Sequence, residues 1–149
     1  MKGKLLKDLK DSNYRIGVIS NFDERIYKIL DTMRLLEYFD FIKIPSNSDG
    51  FAKPSQEMFL QAIELAKKKY GQREKHDFLH IGDNVELDYR ASRACGYDSI
   101  LMCHENACYG IFGKLEKDDE IKNEANHAIP FYSEHIHIKP SLSLFTVLQ

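Results

Sequence analysis

The sequence predicts an α/β domain with a mostly parallel sheet covered by helices, and three observations carry that prediction. Short apolar runs bounded by turn formers alternate with longer segments whose apolar residues recur every three or four positions. The runs are nearly unbroken rather than alternately polar and apolar, as expected of strands buried on both faces. Finally, 149 residues, 43% of them hydrophobic, suffice for one core and fall short of two.

Leu5, Leu6 and Leu9 share a helical face among lysines until Asp11-Ser12-Asn13 stops the pattern. The run Tyr14 to Ser20, with Ile16-Gly17-Val18-Ile19 at its centre, reads as a central strand. From Asn21 to Phe39, residues Ile26, Ile29, Leu30, Met33, Leu36 and Phe39 stand three and four apart and predict a helix that Asn21 or Asp23 caps. Phe41 to Ile44 predicts a second strand, and Pro45-Ser46-Asn47-Ser48-Asp49-Gly50 has the composition of a loop. Pro54, suited to a first helical position, opens a helix carrying Met58, Phe59, Ala62, Ile63, Leu65 and Ala66 to about Tyr70, where Gly71 ends it. Asp77 to Ile81 is a third strand, Leu87 to Cys95 a short helix ended by Gly96, and Tyr97 to Met102 a fourth strand. Beyond it the expectation is a loop from Cys103 to Gly113, a charged stretch from Lys114 to Asn126, an edge strand at Ala128 to Phe131 and a terminal helix from Ser141 to Gln149.

The 21 basic and 23 acidic residues nearly cancel, which gives no general attraction to nucleic acid or to anionic lipid. No apolar run approaches the roughly 18 residues that span a bilayer, and Met1 to Lys7 has no apolar core of a secretion signal, so the expected compartment is the cytoplasm. There Cys95, Cys103 and Cys108, an odd number, are expected as thiols. Cys103, His104, Cys108, His135 and His137 match none of the usual zinc spacings, and Cys95 and His80 read as packed core residues.

In parallel α/β sheets ligands bind beyond the carboxyl ends of the strands, so the polar residues at those ends are the candidates. After the first strand, Ser20 and Asn21 either cap the following helix or hold a phosphate oxygen. Lys53, in Gly50-Phe51-Ala52-Lys53-Pro54-Ser55, stands at a helix N-terminus, where the dipole disfavours a cation; it is either a solvated lysine or one that reaches across to an anion. After the third strand, Ile81-Gly82-Asp83-Asn84-Val85-Glu86-Leu87-Asp88 sets two carboxylates around a glycine turn. They are either a cap and a surface charge or hard oxygen ligands for Mg²⁺.

Ser20, Lys53 and Asp83, following separate strands in this order, resemble the second, third and fourth motifs of the haloacid dehalogenase (HAD) superfamily. The matching segments are Ile19-Ser20-Asn21, Ala52-Lys53-Pro54-Ser55 and Ile81-Gly82-Asp83 through Asp88, within residues 14–102, leaving 103–149 as a variable tail. The resemblance implies a Rossmann-like three-layer sandwich and a Mg²⁺-dependent phosphohydrolase of small phosphorylated substrates, working through an aspartyl-phosphate. It implies that Ser20, Asn21 and Lys53 hold the phosphoryl group, with Ser20 and Lys53 catalytic, and that Asp83 and Asp88 serve the metal or Lys53.

The family's nucleophile lies in an Asp-x-Asp-x-Thr turn after a strand preceding all of these. This sequence contains no two aspartates two residues apart. The expectation is therefore an incomplete core, without the central strand that lies between those ending at Ser20 and Asp83, and inactive alone. Two facing sheet edges would then be left with unpaired N–H and C=O groups, favouring self-association. The sequence is either an incomplete copy of a longer phosphatase or a non-catalytic pseudo-hydrolase acting as a binding module.

Overall fold

The computed structural model describes residues 3–72, 77–101 and 143–146. The unbroken run around Val18 becomes β1 (Ile16–Ile19), buried throughout, and the later apolar runs become β2 (Phe41–Lys43), β3 (Phe78–Gly82) and β4 (Asp98–Leu101). Helices α1 (Lys4–Asp11), α2 (Arg25–Thr32), α3 (Gln56–Tyr70) and α4 (Ala91–Ala94) alternate with them. A fifth strand, β5 (Ser143–Thr146), completes a parallel sheet of order β2-β1-β5-β3-β4.

Alternation along each strand decides which helix it meets. Ile16 and Val18 face α1 and α2, clustering with Leu9 on one side and with Ile26 and Leu30 on the other. Ile19 and Phe78 face α3, whose Met58, Phe59, Ala62, Ile63 and Ala66 form a stripe at helical spacing. Helices thus cover both faces, and full burial of Phe59 or Phe78 contributes about 1.5–3 kcal/mol each. Gly17 allows a close approach, since a Cβ there would overlap the far end of the Phe41 ring unless that ring moved.

Two predicted helices have different bounds. The helix expected from Asn21 to Phe39 stops at Thr32, because Arg34 turns left-handed (φ 56°) and Leu35 N–H reaches back to Leu30 C=O at 2.8 Å. This is the six-to-one closure that usually recruits glycine, and here Leu35 packs in the same cluster as Leu30 to support it. A 3₁₀ turn (Leu36–Tyr38) follows. The third helix begins at Gln56 rather than Pro54.

The largest difference lies in the tail. Residues 143–146, expected as part of a terminal helix, form a strand between β1 and β3. Ile16 and Gly17 pair with Leu144 and Phe145, while Phe78 to Ile81 pair with Ser143 to Thr146. The two inner edges expected to stand open therefore pair with a segment of the same chain. The physical reason is the hydrogen-bonding demand of two facing parallel edges, which one extended segment satisfies on both sides at once. The predicted loop at 103–113, charged stretch at 114–126 and edge strand at 128–131 lie outside the described residues, as do Cys103, His104, Cys108, His135 and His137.

Candidate functional site

Ser20, Lys53, Asp83 and Asp88 gather at the carboxyl ends of β1 and β3. Ser20 directly follows β1 and is 2% exposed; its N–H donates to Lys43 C=O at 2.9 Å and its Oγ accepts from Phe22 N–H at 3.2 Å. Ahead of α2, whose N-cap residue is Glu24, Asp23 Oδ1 accepts from Arg25 N–H at 3.0 Å. Asn21 is engaged elsewhere, its Nδ2 donating to Lys53 C=O at 2.9 Å and its Oδ1 accepting from Lys53 N–H at 2.7 Å. The side-chain amide expected to meet phosphate is thus bound to the backbone of Lys53, tying the turn after β2 to the end of β1.

That clamp delivers Lys53 into the interior. Lys53 is 4% exposed and Asp88 0%, and the Lys53 ammonium donates to Asp88 Oδ1 at 2.5 Å. Lys53 is therefore not a solvated lysine, nor Asp88 a surface charge. Asp88 turns inward because the segment after β3 is a π-helical turn (Val85–Arg90), in which Tyr89 N–H reaches Asn84 C=O at 3.1 Å. Asn84 caps it by accepting from Glu86 and Leu87 N–H, the role open to Asp83 in the sequence. The helix predicted over Leu87 to Cys95 is therefore this π turn continued by α4.

Asp88 is fully committed. Its Oδ1 accepts from Lys53 and faces His80 Nε2 at 3.2 Å, and its Oδ2 accepts from Asn84 N–H at 3.1 Å. Burial alone would raise the carboxyl pKa; the hydrogen bonds from His80 and Lys53 reverse that and hold it below the ordinary range. Burial lowers the Lys53 ammonium, opposed by Asp88 and by the charge of nearby Asp83. His80, which the sequence presents as a packed core residue, is buried as expected but also belongs to this cluster. The signal that could have found it is alternation along β3, which puts His80 and Gly82 on one face beneath the returning Asp88.

His80 gives the fold an acid sensitivity whose sign is fixed by burial. Burial lowers its pKa, so the unfolded chain takes up a proton at a pH where the folded chain does not. Stability is expected to be intact above about pH 6.5 and to fall below it, by up to about 1.4 kcal/mol per pH unit. Urea unfolding at stepped pH measures this, and His80→Gln should flatten the slope between about pH 6.5 and 5.5.

Mg²⁺ keeps several waters and takes one or two carboxylates together with phosphate oxygens. With Asp88 spent on Lys53, His80 and Asn84, Asp83 is the one remaining member of the predicted metal pair. Among the described residues no group of three or more His, Cys, Asp or Glu side chains is placed to hold a metal. By themselves the described side chains offer the ion one carboxylate, Asp83, and the rest of its shell would come from water, phosphate oxygens or a further carboxylate. No helix among the described residues is long and apolar enough to cross a membrane.

Comparisons with known proteins find similarity to hydrolases of one family. The family described as haloacid dehalogenase-like hydrolase matches residues 1–96. The human haloacid dehalogenase-like hydrolase domain-containing protein 3 is 32% identical over 125 residues, 84% of this chain and 47% of that protein. The Rhythmically expressed gene 2 protein of Drosophila melanogaster is 35% identical over 106 residues, 71% of this chain and 40% of its own. The chain thus spans about half the length, or less, of these relatives. Among solved structures, a HAD phosphatase from Thermococcus onnurineus superposes with TM-score 0.60 at 22% identity, over 67% of this chain and 44% of that one. The putative HAD-hydrolase YfnB from Bacillus subtilis, solved bound to magnesium, gives TM-score 0.59 at 25% identity, over 68% and 44%.

Proposed function

The chain belongs to the haloacid dehalogenase-like hydrolase family, and from that premise we propose that it forms the phosphate-recognition half of a phosphohydrolase core acting on small phosphate monoesters. The observation that carries this reading is the buried Lys53–Asp88 pair at the carboxyl end of the sheet. Burying a lysine is costly, and a carboxylate that holds it in one place makes sense where a fixed positive charge must meet an anion. Ser20, at the end of β1, supplies a hydroxyl for a phosphoryl oxygen, and Asn21 acts by fixing the Lys53 backbone.

Hydrolysis through an aspartyl-phosphate needs a nucleophilic carboxylate between Ser20 and Asp83, and these 149 residues hold no Asp-x-Asp turn. In a longer phosphatase that carboxylate comes from outside this sequence, and it would join Asp83 to complete the metal site. The present chain then represents the part that binds without turning over. A second reading, a non-catalytic binding module, is favoured by one observation: β5 closes the sheet from within the same chain.

Isothermal titration with orthophosphate and an aryl phosphate assay test both halves. We expect measurable phosphate binding, weakened about 10- to 100-fold by Ser20→Ala, as befits one lost hydrogen bond to a charged group. We expect no turnover with or without Mg²⁺, and no saturable Mg²⁺ binding tighter than about 1 mM. Metal-dependent turnover abolished by Asp83→Asn would overturn the non-catalytic assignment, and failure to bind phosphate would overturn phosphate recognition.

A further inference from the structure

His80 occupies a place where an apolar side chain would be expected. It is wholly buried in β3, edge-on to the ring of Phe59 at 5.1 Å between centroids and to Tyr97 at 6.4 Å. Its Nδ1 is buried with no hydrogen-bond partner among the described residues, an arrangement that costs stability. A phenylalanine or leucine would fill the same aromatic surroundings without that cost. What only the imidazole offers is Nε2, 3.2 Å from Asp88 Oδ1. Because that oxygen belongs to an ionised carboxylate, the nitrogen facing it carries the hydrogen, which leaves Nδ1 as the unprotonated atom.

We propose that His80 is a positioning residue: its Nε2–H, donated to Asp88 Oδ1, fixes the carboxylate whose same oxygen orients the Lys53 ammonium toward the phosphate site. The chain of contacts runs imidazole, carboxylate, ammonium, with Asn84 N–H holding the second oxygen at 3.1 Å. Three donors hold the carboxylate, two side chains at Oδ1 and one backbone N–H at Oδ2. Without His80, Oδ1 keeps Lys53 as its one partner, and Asn84 N–H on Oδ2 is the only other donor that holds the carboxylate. The phosphate part of this inference rests on the function proposed for the Lys53–Asp88 pair; the positioning part does not.

The full chain, labelled with ¹⁵N, tests it by NMR. Wild type should show His80 as the Nε2–H tautomer and a protected Lys53 ammonium signal. His80→Gln, whose amide nitrogen reaches as far as Nε2, should keep that signal and bind orthophosphate within about threefold of wild type. His80→Phe should keep the fold and lose the signal, with orthophosphate binding weakened about tenfold, one charge-assisted hydrogen bond's worth. An unchanged Lys53 signal in His80→Phe would overturn the proposal and leave a packing histidine. If His80→Phe does not fold, His80→Asn, whose shorter amide falls short of Asp88, decides in its place: retention of the signal there overturns the proposal. Absence of orthophosphate binding in wild type counts against the phosphate reading alone, because the Lys53 signal still decides the role of His80.

Discussion

Asp88→Ala is expected to destabilise the folded chain by about 3–5 kcal/mol, the cost of leaving a buried charge without its partner. Three donors lose their acceptor at once: the Lys53 ammonium, His80 Nε2–H and Asn84 N–H. The first dominates, since an ammonium 4% exposed has little water to turn to. Removing both charges should be far milder. Lys53→Met with Asp88→Leu, which keeps the branching of the aspartate, is expected to recover more than half of the loss, because apolar replacement of a buried ion pair is often neutral or better. Urea unfolding followed by circular dichroism gives both numbers. A single-variant loss below about 1 kcal/mol would show that Lys53 finds water or sheds its proton, and that the pair is not a fixed element of the site.

Gly82→Ala ranks second and acts through space. A Cβ at Gly82 would overlap both Cβ and Cγ of Asp88 and lie 2.6 Å from its Oδ2. These atoms cannot swing aside as a ring tip can, because Cβ is fixed to the backbone of the π turn and the carboxylate is held by three donors. Overpacking of this kind costs typically about 1–3 kcal/mol, and here relief requires Asp88 to move off Lys53. The expected result is a loss near the top of that range together with loss of phosphate binding. Gly17→Ala is the comparison, since its Cβ meets the far end of the Phe41 ring, which can rotate away. If the two variants lose equal stability, the turn after β3 is more yielding than its contacts imply.

Both predictions rest on residues whose importance is unevenly legible in the sequence. Ser20, Lys53 and Asp83 can be found because strand ends are marked by where apolar runs stop, and polar residues at those stops are few. The inward turn of Asp88 cannot be found that way, since aspartate in a helical pattern reads as a solvent-facing charge until a π turn rotates it. Likewise Asn21 has the character of a cap, and only the folded path of the chain brings it to the backbone of residue 53. Helix α2 ends early because an arginine takes the left-handed position that glycine ordinarily announces. The tail is ambiguous for another reason: Leu142, Leu144, Phe145, Val147 and Leu148 fit either period over so short a span, and pairing with two distant strands settles the outcome.

The origin of β5 carries a consequence for how this molecule is made. Gly17 pairs with Phe145 across nearly the whole sequence, and the β2-β1 and β3-β4 pairs are joined in the sheet only through that late segment. Such a topology has high contact order, so closure of the sheet should be slow compared with formation of its helices. Residues 143–146 are synthesised after everything up to β4, so the segment that pairs with both β1 and β3 comes last of the described strands. Unpaired strand edges favour association with other chains, so pairing of this late segment with both β1 and β3 should also suppress aggregation during folding.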